Sequence, residues 1–240
     1  MIQTQTIDIT HVKKVLENCP HYDMIIHYEY PYGDNDLPSK TSVTALKTSK
    51  ISMKNNDIIV NGIDNKTKEV EICKFIEEPL KQIEISSTER GTLVHLVLQK
   101  LKGDDIEGTI NSLRITDTQK EYLKKNTRIF ESFINSSLFK ELENAKEVHK
   151  EETFYMNVKS ESNDDILLQG IIDLYFIDKN DRLILVDYKT DRNVDKEILI
   201  DRYKNQLLLY KNALEKSLDK KVSKTLIYST FLNTEVEIDV

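Results

Sequence analysis

Two apolar segments joined by a short polar turn constrain the fold of this chain more than any other feature. Residues 167–177 and 183–189 are both rich in apolar side chains, and the five residues between them, 178–182, are all polar or charged. This pattern is typical of a β-hairpin. An antiparallel pairing about the middle of the turn places Asp173 directly opposite Asp187. The spacing therefore predicts two carboxylates that face each other across a hairpin.

The side chains of this hairpin divide into two faces. The residues of one face are all apolar and are predicted to pack on the core: Ile172, Leu174, Phe176, Ile184, Val186 and Tyr188. The other face carries Asp173, Asp187 and Lys189. Like charges at opposite positions destabilise a sheet, and a divalent cation that binds both carboxylates removes that cost. Lys189 suits a group that orients a water or steadies a phosphate. The pattern thus indicates a metal site, with a merely solvated pair of acids as the alternative.

The remaining periodicity predicts an α/β fold with a mixed central β-sheet of about five strands flanked by helices. The predicted order is a helix, three strands, a helix and two strands. The predicted helices are 91–101 after a capping box at Ser86 and Glu89, 117–146 with a break at 136–137, and 195–217. The predicted strands are 152–158, 167–177, 183–189, 225–231 and 235–240.

The chain is expected to divide into three regions. Residues 1–40 are predicted to be a connector, 41–85 a short helix capped by Ser42 followed by a flexible or hairpin insertion, and 86–240 the core. Because residues 51–81 show little apolar periodicity, we expect residues 1–85 to be dispensable for the core and partly disordered. A stable proteolytic product would then start near residue 80–90.

Composition excludes several classes of protein. The net charge of −7 argues against a broad basic face for nucleic acid. No apolar window is long enough to span a membrane, no secretory signal is recognisable, and a cytoplasmic location is expected. Two cysteines are too few for a disulfide framework or an iron–sulfur cluster. No G-x-x-x-x-G-K-[ST] loop is present, so no ATP site is expected.

Further polar residues lie on the elements that flank the hairpin. His95 stands in an apolar helix, where a histidine is more often a satisfied core residue than a ligand. Tyr203, Gln206 and Tyr210 share one face of the helix over 195–217, and such a face more often serves packing than function. Glu151 lies at the edge of the first long strand. None of these residues alone indicates a site.

Together, however, these residues resemble the RecB-like branch of the PD-(D/E)xK nuclease superfamily. The motifs that carry the resemblance are GTLVH at 91–95, GIID at 170–173, DYKT at 187–190, and Gln206 with Tyr210 in Q-x-x-x-Y. Each motif is weak alone, but four in family order are specific. LPSKTSVTALK at 37–47 and RGTLVHLVLQ at 90–99 resemble the C-terminal domain of AddA-type helicase–nuclease subunits. This resemblance covers about residues 30–240, with Lys150 and Thr153 standing where Arg and Pro are common.

The resemblance implies a restriction-endonuclease-like core and a metal-dependent DNA exonuclease of double-strand break repair that cuts the 3′-terminated single strand. The residues at matched positions that would bind Mg²⁺, or Mn²⁺ as a substitute, are His95, Asp173, Asp187 and the Tyr188 carbonyl. Lys189 would position the attacking water. Gln206 and Tyr210 would order the site and the DNA backbone, and Glu151 is a weaker, outer candidate.

The resemblance also implies partners. These are single-stranded DNA, an AddB-type partner subunit, and the helicase portion of a longer chain of which this sequence would be a fragment. A helicase motor that holds the DNA would explain the acidic balance of the nuclease. Two alternatives stay open: a free-standing RecB-like exonuclease, and a catalytically silent DNA-binding or scaffolding module of the same fold. A native mass near 28.0 kDa would favour the free-standing enzyme.

Overall fold

A mixed β-sheet is the framework of the residues that the computed structural model describes, which are 40–46, 49–54, 57–61, 85–160 and 162–240. Its strands are β1 Lys40–Ser42, β2 Lys50–Lys54, β3 Asp57–Asn61, β4 Glu147–Ser160, β5 Asp165–Ile177, β6 Leu183–Lys189, β7 Val222–Ser229 and β8 Thr234–Glu237. The strand order is β2-β3-β4-β5-β6-β7-β8, and β1 lies parallel to β5 outside this path. The β3–β4 and β6–β7 pairs are parallel, and the other pairs along the path are antiparallel.

Helices cover both faces of this sheet. They are a 3₁₀ helix Val43–Leu46, then α1 Ser87–Lys100, α2 Ile106–Ser112, α3 Asp117–Lys125, α4 Arg128–Ile134, α5 Ser137–Glu143 and α6 Lys196–Leu218. The predicted α/β class and the predicted order of elements are confirmed for residues 86–240. The helix predicted over 117–146 is three short helices, because the chain also breaks between α3 and α4. No helix among the described residues is both long and apolar enough to cross a membrane.

The cap of α1 forms only half of the predicted capping box. Ser86 Oγ accepts a hydrogen bond from the Glu89 N–H at 3.2 Å, which satisfies one free donor of the first turn. The Glu89 carboxylate instead accepts a hydrogen bond from Gln119 Nε2 at 2.7 Å. Glu89 therefore links α1 to α3, a tertiary contact that a local motif cannot reveal.

Two hydrophobic clusters lie on opposite faces of the sheet. The first packs α1 to α5 against Leu174, Phe176, Ile184, Val186 and Tyr188. The second packs α6 and the 3₁₀ helix against Ile172, Tyr175, Leu183, Leu185 and Ile227. Both faces of the hairpin are thus buried. The prediction that Ile172 shares a face with Leu174 is wrong, because the pairing of β5 with β4 and with β6 is interrupted at Asp173, between them.

The described residues between 40 and 61 pack in the same core as residues 85–240, whereas the sequence predicts a core that begins at residue 86. Val43, Leu46, Ile58 and Val60 are buried in the same cluster as α6. Strand β3 alternates exposed and buried positions, so its period-two signal is present but short. The remaining predictions for residues 1–39 and 62–84 fall outside the described residues.

Candidate active site

Three acidic residues occupy one row across neighbouring strands. The β4–β5 ladder pairs residues on either side of Glu151 and Asp173 in a register that aligns these two. The β5–β6 ladder ends at the pair Leu174–Val186, one step before Asp173 and Asp187. The predicted hairpin register is confirmed up to that pair. Asp173 and Asp187 follow in the same register, but they are not joined by backbone hydrogen bonds of the ladder.

The backbone departs from regular β geometry at this row. Glu151 has a φ of 55°, a left-handed conformation that is uncommon for residues other than glycine and concentrates at functional sites. Asp173 Oδ2 accepts a hydrogen bond from the Tyr188 N–H at 2.8 Å. A side chain therefore binds the β6 amide, and the sheet opens between the strands at this level.

The arrangement of β1 and β6 leaves room at the opening. β1 pairs with residues 167–169 of β5, and β6 pairs with residues 174–177 on the same strand. Residues 170–173 lie between these two pairings. At Gly170, an added Cβ would lie 2.5 Å from the Phe154 ring, so only glycine allows β4 and β5 to pack this closely. The GIID motif thus ends with Asp173 at a gap in the sheet.

Helix α1 brings His95 to this gap. An added Cβ on Gly91 would lie 3.1 Å from Thr190 Oγ1, so the absence of a side chain lets α1 approach the end of β6. His95, one turn later, places Nδ1 3.4 Å from Asp173 Oδ1. Its ring meets the Tyr188 ring edge-on, with centroids 5.9 Å apart. His95 therefore contacts a site acid and is not isolated in the apolar core.

His95, Glu151 and Asp173 form a group that could hold a metal ion. One ligand atom from each residue lies within 4.8 Å of the others. Adjacent ligands of an octahedral Mg²⁺ site with bonds of about 2.1 Å are about 3 Å apart, so small side-chain movements would close this group around an ion. The structure thus places Glu151 with His95 and Asp173, whereas the sequence interpretation named Asp187 in that position.

Asp187 lies beside this group but faces a different set of partners. Its side chain is 1% exposed, and its Oδ2 lies 2.5 Å from Lys189 Nζ. Its Oδ1 accepts a hydrogen bond from Gln206 Nε2 at 3.2 Å, and the same nitrogen lies 2.9 Å from Tyr210 Oη. Lys189 Nζ also lies 4.4 Å from the centroid of the Tyr203 ring. Helix α6 therefore orders the second half of the site.

Within the first group, His95 and Asp173 favour each other's charged form, whereas Asp173 opposes the charge of Glu151. Burial opposes ionisation of Asp173, but its contact with His95, the charge of Lys189 and the Tyr188 N–H outweigh burial and lower the pKa of Asp173. Burial likewise opposes protonation of His95, but the contact with Asp173 raises the pKa of His95. Burial and the nearby charge of Asp173 raise the pKa of Glu151. One acid is thus held charged while its neighbour resists ionisation.

Among the three acids of the row, ionisation is most unfavourable at Asp187. Burial raises the pKa of Asp187 to about 6, and the charge of Asp173 adds to this effect although Lys189 opposes it. Burial and then the charge of Asp187 raise the pKa of Tyr210, which keeps the phenol protonated. Carboxylates crowded in this way are stabilised when a cation enters.

The structure thus places all the predicted side chains in one region but in two subsets. His95 and Asp173 meet Glu151, whereas Asp187, Lys189, Gln206 and Tyr210 meet one another. The Tyr188 N–H contacts the site through its hydrogen bond to Asp173. The sequence holds a signal for Glu151, because a turn centred on residue 162 aligns Glu151 with Asp173. The predicted strand 152–158 begins one residue after Glu151 and therefore leaves Glu151 out of this alignment.

The family comparison agrees with this geometry. The family model described as the PD-(D/E)XK nuclease superfamily matches residues 71–237. The chain belongs to this superfamily. Two stretches of sequence fit the pattern that gives the superfamily its name, because Asp173 supplies the first acid and Asp187-Tyr188-Lys189 supplies D-X-K. Ile172 stands where the pattern has proline.

Individual relatives show which proteins of the superfamily this chain is similar to. Proteins named as the A subunit of an ATP-dependent helicase/nuclease are 29% identical in Clostridium novyi, 32% in Clostridium botulinum and 30% in Clostridioides difficile. The alignments cover 96%, 88% and 85% of this chain, respectively, but only 20%, 19% and 18% of the relatives. The chain therefore spans about a fifth of the length of the curated relatives it matches. It is a PD-(D/E)XK nuclease domain similar to part of these proteins.

Proposed function

We propose that this PD-(D/E)XK domain is a metal-dependent exodeoxyribonuclease that hydrolyses phosphodiester bonds of single-stranded DNA. The observation that carries the proposal is the row of Glu151, Asp173 and Asp187, with His95 and Lys189 beside it. Acids packed together and withdrawn from water raise the free energy of the folded chain. Perturbed acids of this kind are typical of catalytic sites, where function outweighs stability.

The donor set fits Mg²⁺, with Mn²⁺ as a substitute. Carboxylate oxygens suit both ions, and imidazole is a common ligand of divalent metals. We propose His95, Glu151 and Asp173 as the ligands that already lie together, with Asp187 and the Tyr188 carbonyl as further ligands. A bound divalent cation would supply Lewis acidity toward a phosphate oxygen and a water.

The second half of the site would handle the substrate. Asp187 and the Tyr203 ring hold the Lys189 ammonium in one place, from which it can position a water or donate to a phosphate oxygen. Gln206 fixes the Asp187 carboxylate through its amide nitrogen. The Gln206 Oε1 atom is buried and accepts no hydrogen bond from the described residues. It could accept a hydrogen bond only from a group that enters the site.

We further propose that the domain works within a larger helicase–nuclease in the cytoplasm, during double-strand break repair. The helicase portion of a longer chain and an AddB-type partner subunit would deliver the 3′-terminated strand to the site. The support for this proposal is the name of the relatives and the fraction of their length that this chain matches. The acidic net charge of −7 is consistent with a nuclease that receives DNA from another module.

Cleavage of end-labelled single-stranded DNA tests this proposal. We expect shortening from the 3′ end in Mg²⁺ or Mn²⁺ and none in chelator. Asp173→Asn should abolish it, whereas Asp165→Asn, an exposed acid on the same strand, should leave it intact. Cleavage that persists in chelator would contradict the metal assignment. DNA binding without cleavage in any divalent cation would favour the catalytically silent alternative.

A further inference from the structure

An open cleft of about 1020 Å³ lies beside the candidate active site. Thr190, which follows Lys189, lines it, and so does Tyr203, whose ring lies 4.4 Å from Lys189 Nζ. Gly91 lines both this cleft and a smaller hollow that contains His95 and Glu151. The cleft therefore adjoins both halves of the site. Its volume is at the upper end of the roughly 300–1,000 Å³ range of small-ligand sites, so it has room for an extended ligand.

The charge of the lining is unusual for an acidic chain. The lining contains Arg90, Arg192 and a single acid, Asp191. Asp191 is already neutralised, because it pairs with Arg202 and accepts a hydrogen bond from Tyr203 Oη at 2.8 Å. Neither Arg90 nor Arg192 forms an ion pair with any residue in the described part of the chain. Two guanidinium groups without an acidic partner there thus face the cleft, and guanidinium is well suited to phosphate.

An exposed aromatic ring completes the lining. Phe231, in the turn after β7, is 44% exposed and belongs to neither hydrophobic cluster. A phenylalanine outside both clusters of the described residues contributes little to their packing. Grooves that bind single-stranded nucleic acid combine such rings, on which bases stack, with cationic side chains that bind the backbone.

We propose that this cleft binds the single strand next to the cleaved bond, with Phe231 stacking on an unpaired base and Arg90 and Arg192 binding phosphates. This inference rests on the proposed nuclease function and names residues that select the substrate. The two arginines would supply local positive charge that the chain as a whole lacks. Stacking on Phe231 requires an unpaired base, so the cleft would favour single strands over duplex.

Binding without cleavage tests the proposal. The full chain is titrated in chelator against a short fluorescein-labelled single strand, and anisotropy is read at several salt concentrations. Phe231→Ala should weaken binding at least about fivefold, the lower end of a stacking contribution of about 1–3 kcal/mol per base. Phe231→Tyr should restore binding, whereas Phe231→Leu should not. The double variant R90A/R192A should reduce the slope of log K against log salt by about 1.4, or about 0.7 per phosphate contact.

Controls separate a local effect from a general one. Arg114→Ala removes an exposed arginine outside the cleft, and Tyr155→Ala removes a ring that is 59% exposed on β4; both variants should bind as wild type does. All variants should melt within about two degrees of wild type. Equal binding by Phe231→Ala, full binding by Phe231→Leu, equal affinity for duplex, or no binding by wild type at low salt would each overturn the proposal.

The two proposals fail in different ways. If wild type binds the strand through these residues but does not cleave it in Mg²⁺ or Mn²⁺, the nuclease function fails and the cleft assignment stands. If wild type cleaves but the Phe231 and arginine variants bind normally, the cleft assignment fails and the nuclease function stands. An acidic peptide can also be added as a competitor of the labelled strand. If it displaces the strand equally well from wild type and from Phe231→Ala, the stacking role of Phe231 is overturned.

Discussion

The tip of the β5–β6 hairpin and its open end both hold buried carboxylates, but their surroundings differ. At the tip, Asp178 Oδ1 accepts hydrogen bonds from the Asn180 and Arg182 N–H groups, and Oδ2 pairs with the Arg182 guanidinium. Burial opposes the charge of Asp178, but these bonds outweigh it and lower the pKa of Asp178. At the open end, burial raises the pKa of Asp187 to about 6.

The difference shows how a structural acid can be told from a functional one. The turn itself supplies every partner that Asp178 needs, so this carboxylate stabilises the hairpin that contains it. Asp187 is buried one step beyond the end of the ladder and in the same row as Asp173, which adds a like charge. Folding alone gains nothing from that arrangement. The acids of the open end are therefore the ones we expect to act on a substrate.

The rate of DNA cleavage should distinguish the two ends of the hairpin most strongly. Asp187→Asn should reduce Mg²⁺-dependent cleavage of single-stranded DNA by about a thousandfold or more, because it removes a proposed ligand and the partner that holds Lys189. Asp178→Asn should leave the cleavage rate within about twofold, measured well below its melting temperature. Rates on one labelled oligonucleotide decide the matter. Comparable losses from both variants would remove the distinction between the ends.

A pH series in chelator tests the cost at the open end. The pKa of Asp187 in the folded chain is about 6, above its unfolded value of about 4. Below pH 4 the carboxyl is therefore protonated in both states, and its ionisation costs the folded chain nothing. As the pH rises through 6 the buried carboxyl loses its proton, and this lowers the free energy of unfolding by an amount on the order of 3 kcal/mol. Asp187→Asn should therefore be more stable than wild type at pH 8 and lose this advantage toward pH 4. An advantage that does not change with pH would show that Asp187 is not held charged at a cost.

Removal of the acid at the tip should lower the stability of the folded chain, in contrast to removal of Asp187 at the open end. Asp178→Ala should lower the unfolding free energy by about 2 kcal/mol, because it leaves the turn amides and the Arg182 side chain without their acceptor. For a chain of this size that is a fall of roughly 4–8 °C in Tm. Thermal melts at pH 7 measure it, with Asp165→Ala, an exposed acid at the start of β5, as the control. An unchanged Tm would mean that the turn does not depend on its acid.

Much of this account could be predicted because the signals were local. The β5–β6 register, the class of fold and helix α6 follow from apolar periodicity and from a turn whose length fixes the pairing. The grouping of Asp187 with Lys189 on one face follows from the alternation of side chains along a strand. Motif spacing alone directed attention to His95, which periodicity assigned to the core.

The remainder depends on tertiary contacts that no local pattern encodes. Glu151 enters the site through a left-handed backbone conformation, and a period of two cannot signal it. Ile172 and Leu174 pack on opposite sides because the sheet opens at Asp173. Residues 40–61 join the core through pairing with β5 and β4, whose paired residues lie about a hundred or more positions later in the chain. Short strands of this kind have too few alternating positions to stand out from loops.

The central claim is that the acids of the open end bind a divalent cation, and melting curves with chelator and with excess Mg²⁺ or Mn²⁺ test it most directly. Wild type should gain about 2.7 kcal/mol at a metal concentration a hundredfold above Kd, a rise of roughly 5–10 °C in Tm. Asp173→Ala should lose most of that rise. Lys189→Ala should keep it while losing cleavage, because lysine is not a ligand. A wild-type Tm that is the same in all conditions, together with no cleavage, would contradict the account.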